Sequence, residues 1–355
     1  MTVVAGGETG YDDAMNDPDP PSGPRIRNIA ELARLAGVHS GTVSRALADN
    51  ALVNKETRER IQALAKAHGF RPNQMARRLR VQRTGVIGVV VPLGHERRQH
   101  LSDPFFMTIL GPLADALTEN GYDVMLSRII PDADDWLERI VDSGMLDGVL
   151  LIGQSDQYDT IERVARRYRP LVAWGSHIAG QVHVAVGVDN RLGGRMAGER
   201  LIARGCRRLA FMGEIRSVEL AERHRGLIDA AAAAGLAPPL QLDTHLASDM
   251  MMDEIAAHVD RIGTRFDGIA AGSDGIAMQL VRVLADRAIR VPEDIAVTGF
   301  DDLPLAEQTV PRLTTVRQDI AAGARAMVDA LFARIEGADS ASVVMRPELI
   351  ARDSA

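Results

Sequence analysis

Hydrophobic positions along the chain form two patterns, which change over at Thr84. Before it, short blocks read as helices. Ile29-Ala30-Glu31-Leu32-Ala33-Arg34-Leu35-Ala36 runs into Gly37-Val38, a helix closed by a glycine turn. Residues 39–47 read as a second short helix. Asn54-Lys55-Glu56-Thr57-Arg58 opens a third that runs to His68. Ala33, Val38, Val43 and Leu47 are the expected core of this small bundle. Two helices joined by a glycine turn, with small polar residues starting the second, is the layout that lays a helix in the major groove of DNA. The short, basic stretch Arg71-Pro72-Asn73-Gln74-Met75-Ala76-Arg77-Arg78-Leu79-Arg80 follows.

Beyond Thr84 continuous apolar runs alternate with helical stretches. Val86-Ile87-Gly88-Val89-Val90-Val91-Pro92 fits a buried parallel strand. Further strands are expected at residues 122–126, 147–152, 171–174, 209–212, 268–271, 295–300 and 348–350, with helices around 106–120 and 136–142. Such alternation calls for parallel sheets covered on both faces. Two such units in about 270 residues predict two lobes with a cleft between them, at the carboxyl ends of the strands.

The predicted fold class is therefore a small all-α helix-turn-helix head followed by an α/β body of two doubly wound parallel-sheet lobes. Residues 1–24 hold Gly, Pro and Asp with little apolar mass, and are expected to be a disordered acidic tail. The head spans 25–72, a hinge 73–83, and the body 84–355. Within the body, lobe 1 takes about 84–198 and 318–346, and lobe 2 about 199–317 and 347–355.

Charge sharpens the choice of partner. The net charge of -7 would by itself argue against nucleic acid, but it is unevenly spread. Residues 1–24 carry -5, residues 25–83 carry +9 and the remainder -11. A compact basic module on an acidic body is the footprint of a DNA-binding head, with the acidic body limiting non-specific phosphate binding. No run approaches 18 apolar residues and the N-terminus has no apolar signal core, so a cytoplasmic protein with no membrane partner is expected. A single cysteine, Cys206, excludes an internal disulfide framework. No P-loop, G-x-S-x-G elbow, H-E-x-x-H or zinc-ligand spacing occurs, so no enzyme activity, cofactor or metal is expected.

Several residues carry candidate chemistry by type and place. Thr42 and Ser44 are short hydroxyl donors suited to phosphate oxygens. Arg45 presents a fork to guanine or to a phosphate. Ser40 reads equally as the N-cap of the second helix. Asp301 lies at the carboxyl end of a predicted strand, facing the cleft, where an acid holds sugar hydroxyls by charge-assisted hydrogen bonds. Trp174 also ends a strand and suits stacking on a pyranose. Asp274 and Asp302 serve equally well as caps of turns or helices. Met250-Met251-Met252 reads as core rather than cleft.

The ordered set of motifs resembles the lactose-repressor (LacI/GalR) family of bacterial transcription factors. The resemblance rests on Leu32-Ala33, Ala36-Gly37-Val38, Thr42-Val43-Ser44-Arg45-Ala46-Leu47, Thr57-Arg58 and Pro72-Asn73 in the head. In the body it rests on Ile87-Gly88, Asp103-Pro104-Phe105-Phe106, Val188-Asp189-Asn190, Arg223, Ser273-Asp274, Val291-Pro292-Glu293-Asp294, Gly299-Phe300-Asp301-Asp302 and Leu313-Thr314-Thr315-Val316. It covers roughly residues 25–352. The resemblance implies a body like that of periplasmic binding proteins. It also implies a homodimer on pseudo-palindromic operator DNA and a small effector, either a sugar that releases the DNA or, as the alternative, a non-sugar corepressor that tightens DNA binding. The implied DNA contacts are His39, Ser40, Gly41, Thr42, Ser44 and Arg45 from the head. From the hinge they are Asn73, Met75, Ala76, Arg78, Leu79 and Arg80, with Leu79 wedged into the minor groove. The implied effector contacts are Asp103, Phe105, Phe106, Trp174, Arg223, Ser273, Asp274, Asp301 and Gln318. Phe106 reads equally as core. No leucine heptads follow the last strand, so a dimer is expected rather than a coiled-coil tetramer.

Overall fold

The computed structural model describes residues 26, 28–70, 83–94, 97–246 and 250–355. The chain divides into two compact units, residues 1–82 and 83–355. The proposed hinge contacts Asn73, Met75, Ala76, Arg78, Leu79 and Arg80 lie outside the described residues, as does the acidic tail.

The first unit holds three helices: α1 (Ile29–Ala36), α2 (Ser40–Leu47) and α3 (Lys55–Ala67). Asn28 caps α1 by accepting from the Glu31 N–H, while its own amide donates to the Glu31 carboxylate at 3.0 Å, a reciprocal cap. Gly37 closes α1 in the left-handed conformation, φ 65°. Asn54 caps α3 through the Thr57 N–H. Leu32, Ala36, Val43, Ala46, Ile61 and Phe70 interlock as the core, with Val38 and Leu47 packed at its rim. The cap of α2 is His39, which makes no side-chain cap bond. Ser40 is already helical, so it is not the N-cap, and its hydroxyl is left free of that duty.

The second unit contains two six-stranded sheets. The first is ordered β11-β5-β4-β3-β1-β2, from β1 (Val86–Pro92), β2 (Asp123–Ile129), β3 (Gly148–Ile152), β4 (Leu171–Trp174), β5 (Val184–Val188) and β11 (Val343–Met345), all parallel. Alternate residues of β1 and β3 enter opposite layers. Ile87, Val89, Leu150 and Ile152 meet α4 (Pro104–Glu119) and α11 (Ile320–Ile335) on one face. Val90, Val149 and Leu151 meet α5 (Trp136–Val141) and α6 (Tyr158–Ala165) on the other. Burial on both faces is why these strands read as unbroken apolar runs.

The second sheet is ordered β12-β10-β9-β8-β6-β7, from β6 (Leu209–Met212), β7 (Leu240–Leu242), β8 (Gly268–Ala271), β9 (Ala296–Asp301), β10 (Thr314–Arg317) and β12 (Glu348–Ile350). Only the β10–β12 pair is antiparallel. Helices α7 (Asn190–Ala203) and α8 (Val218–Ala233) cover one face, and α9 (Met251–Ile262) and α10 (Asp274–Asp286) the other. Met251 is core as expected, while Met250 and Met252 remain about 40% exposed.

One boundary differs from the sequence expectation. Residues 190–198, assigned to lobe 1, begin α7, which packs on α8, β8, β9 and β10 of lobe 2. The cause is a glycine-lined helix crossing. A Cβ at Gly194 would lie 1.9 Å from the Arg223 carbonyl oxygen, and one at Gly226 would lie 2.0 Å from that of Arg191. The two backbones touch there, and no larger residue fits. The chain thus crosses between lobes after Asp189, near Gln318 and after Met345.

Candidate functional site

In the head, Val43 and Ala46 bury one face of α2. His39, Ser40, Gly41 and Arg45 are exposed and Thr42 and Ser44 half-buried, so all six expected contacts cluster on the opposite face and the opening turn. That turn offers free N–H groups and the positive end of the helix dipole to a phosphate.

In the body, a cleft of about 110 Å³, partly open to solvent, lies where the two sheets' carboxyl edges meet. Lobe 1 contributes Asp103, Phe105, Phe106 and Trp174, lobe 2 contributes Arg223, Ser273 and Asp301, and Gln318 comes from a crossover. Asp103 caps α4 by accepting from the Phe105 N–H at 2.8 Å, and takes a second bond from the Gln99 amide at 2.9 Å. Burial raises its pKa, against the pull of both bonds. Phe105 packs against Phe106 and Trp174, with ring centres 5.9 and 6.0 Å apart. Trp174 and Phe106 are buried in the lobe 1 core and also line the cleft, so each is both core and lining.

Arg223 is the buried cation of the cleft. Its Nε donates to Asn190 Oδ1 at 2.8 Å and its Nη1 to the Gly272 carbonyl at 2.7 Å. Its guanidinium carbon stands 3.6 Å from the centre of the Phe300 ring, a desolvated cation–π contact. Burial pulls its pKa down, opposed by Asp301 and Glu219. Asp301 lies 3.7 Å from Arg223 Nη1 and accepts from the Gln318 amide at 2.6 Å. Burial is the larger influence and pushes its carboxyl up to about 7 despite Arg223. Its φ of 118° is one that side chains rarely adopt. Ser273 caps α10 through the Ile276 N–H and also faces the cleft.

Asp274 does not line the cleft, which corrects its expected role as an effector contact. Its carboxylate turns under the loop after β9, accepting from the Leu303 N–H at 2.8 Å and the Thr315 hydroxyl at 2.5 Å. It fills space left by Gly299, where a Cβ would fall 2.2 Å from it. Asp274 is a brace for the turn that carries Asp301, and burial with Asp301 nearby raises its pKa well above normal.

Four polar lining residues were not anticipated: Gln99, Ser155, Ser217 and Glu219. Glu219, in the first turn of α8, accepts from the Ser176 N–H of lobe 1 at 3.2 Å and so bridges the lobes. The available signal was its helical spacing from Arg223, four residues on, which puts both on one face. Among the described residues no cluster of His, Cys, Asp or Glu could hold a metal ion, and no helix is long and apolar enough to cross a membrane.

Comparison with known proteins agrees with this arrangement. The family of bacterial regulatory proteins, lacI family, matches residues 28–73, and a periplasmic binding protein-like domain matches 199–355. The HTH-type transcriptional regulator CelR of Thermobifida fusca is 33% identical over 343 residues, covering 93% of this chain and 98% of its own length. The solved transcriptional regulator CelR–cellobiose complex is 29% identical with a TM-score of 0.65, covering 93% of this chain and 100% of that one. The Lac repressor dimer bound to operator and the anti-inducer ONPF is 20% identical with a TM-score of 0.81, covering 93% of this chain and 99% of that one, a likeness of fold. A DNA-reading helix pair, a two-lobed cleft and these full-length likenesses together establish that the chain belongs to the lacI family of bacterial transcriptional regulators.

Proposed function

We propose that this regulator is a repressor of carbohydrate-utilisation genes that a small neutral sugar releases from its operator. The observation that carries the reading is the cleft itself. Three carboxylates, Asp103, Glu219 and Asp301, converge on it, against one buried cation among the described residues that line it, Arg223, which gives one N–H each to Asn190 and Gly272. Carboxylates accept from hydroxyl donors, and the aromatic side chains Phe105 and Trp174 give the lining apolar surface for the carbon skeleton of a sugar ring. The relative CelR is known in complex with cellobiose.

A homodimer reads two half-sites of a pseudo-palindromic operator, each with His39, Ser40, Gly41, Thr42, Ser44 and Arg45 of one α2. Asn73, Met75, Ala76, Arg78, Leu79 and Arg80 make the minor-groove and phosphate contacts, Leu79 as the wedge. An effector held by residues of both lobes changes their relative angle, and operator affinity changes by the effector's differential affinity for the two states. The protein does no chemistry on the sugar, and works in the cytoplasm.

The test pairs thermal shift against a panel of sugars and sugar phosphates with fluorescence anisotropy on a palindromic operator. A neutral sugar that raises Tm and weakens operator binding is the expected result. A hit that tightens operator binding makes the system a corepressor one, and operator binding untouched by every sugar overturns the carbohydrate reading.

A further inference from the structure

Asp301 and Asp302 are consecutive non-glycine residues with positive φ, 118° and 55°. Both conformations are disfavoured for side-chain-bearing residues and persist only where the surroundings enforce them. The Asp301 carboxylate faces the cleft, while that of Asp302 lies outside it among arginines. Asp302 Oδ2 is 2.7 Å from Arg317 Nε, and its Oδ1 is 2.7 Å from Arg352 Nη2. That second contact is an ion pair without hydrogen-bond geometry, while Arg352 donates to the Leu313 carbonyl at 2.9 Å and to Glu307 at 3.0 Å. Arg317 reaches Glu348 at 3.1 Å.

The side chains of Asp302 and Arg352 are only 7% and 8% exposed, so this pairing is shielded from water, unlike the many surface pairs of the chain. Arg317 directly precedes Gln318, whose amide holds Asp301. The cluster therefore ties the ends of β9 and β10 to β12 behind the two residues that present polar groups to the cleft.

We propose that Asp302, Arg317 and Arg352 form a positioning clamp that fixes Asp301 and Gln318 for effector binding from outside the cleft. The inference rests on the cleft being the effector site. None of the three lines it, so the clamp acts through geometry alone. Binding groups held by such a supporting shell lose affinity steeply when the shell slackens.

The test uses the full chain with the variants Arg317→Gln, Arg352→Gln and Arg352→Lys. Hydrogen exchange of residues 300–306 reads the clamp with no ligand present. Calorimetry with cellobiose reads binding, and operator anisotropy without sugar reads the rest of the molecule. Both glutamine variants should speed exchange in that segment. Arg352→Gln should weaken cellobiose by about tenfold, with Arg352→Lys recovering part of it and ligand-free operator affinity unchanged. Unchanged exchange in folded variants overturns the clamp, as does a cellobiose loss matched by an equal loss of operator affinity. Should wild type fail to bind cellobiose, that sugar is rejected as effector while the exchange arm still decides the clamp. Should Arg352→Gln fail to fold, Arg317→Gln carries the test, its arginine being 43% exposed.

Discussion

Asp301→Asn should make the protein more stable and deaf to its effector, and the gain should grow with pH. Burial raises the Asp301 pKa from 3.8 to about 7. An acid raised in this way binds more protons folded than unfolded across that interval. Its cost to stability is absent below pH 3.8, grows as pH rises, and is complete above about 7. At 1.36 kcal/mol per unit the full cost is about 4 kcal/mol, and at pH 5 it is less than half of that. Asparagine keeps an oxygen to accept from Gln318 and cannot ionise. Loss of the Asp301 charge also relaxes Asp274, whose pKa it helps to raise, and this adds to the gain. For a body of this size the gain is on the order of 5–10 °C in Tm at pH 8 and a fraction of that at pH 5. Scanning calorimetry of both proteins at the two pH values, with sugar titrations alongside, measures it. An equal Tm difference at both values would show that Asp301 does not titrate between them and refute the reasoning.

Two further outcomes follow from the same geometry. Gly226→Ala places a methyl 2.0 Å from a backbone oxygen that cannot rotate away, so α8 must shift. Overpacking of this kind costs about 1–3 kcal/mol, read as a lowered Tm, and effector binding should fall with it because α8 carries Glu219 and Arg223. Arg45→Ala should weaken operator binding by about 1–3 kcal/mol. Loss concentrated at one base position in an operator-variant series marks a guanine contact, whereas a uniform loss with a shallower salt dependence marks a phosphate contact.

Much of the fold was legible because its central strands are buried on both faces and its head helices carry clear stops. Of the strands that escaped, β7, β10 and β11 lack that signature, whereas β5, Val-Ala-Val-Gly-Val and buried throughout, carries it and was missed. β7 and β11 are three residues long and lie at sheet edges, and β10 is Thr-Thr-Val-Arg, three-quarters polar by composition though its first three residues are buried. The α7 boundary was missed because the glycine crossing that assigns it is a contact between segments about 30 residues apart. Eight of the nine expected effector residues do line the cleft. Asp274 does not, since no local pattern says whether an aspartate at a helix start turns toward a cleft or under a loop. Glu219 was hidden among the other acids, since its four-residue spacing from Arg223 is shared by many surface pairs, and the approach of Ser176 from the opposite lobe is what marks it out.

Each sheet of the body takes a strand from near the end of the chain, β11 for the first and β12 for the second, while the head's core, among the described residues, draws on residues 26–70. During vectorial synthesis the head can therefore fold as soon as it leaves the ribosome, whereas neither lobe can complete its sheet until residues 343–350 have emerged. A nascent or truncated chain would carry a finished DNA-reading module on an unfinished sensor. Shortening the chain at β12 should expose the edge of β10 to unintended strand pairing and, in the same stroke, remove Arg352 from behind the cleft.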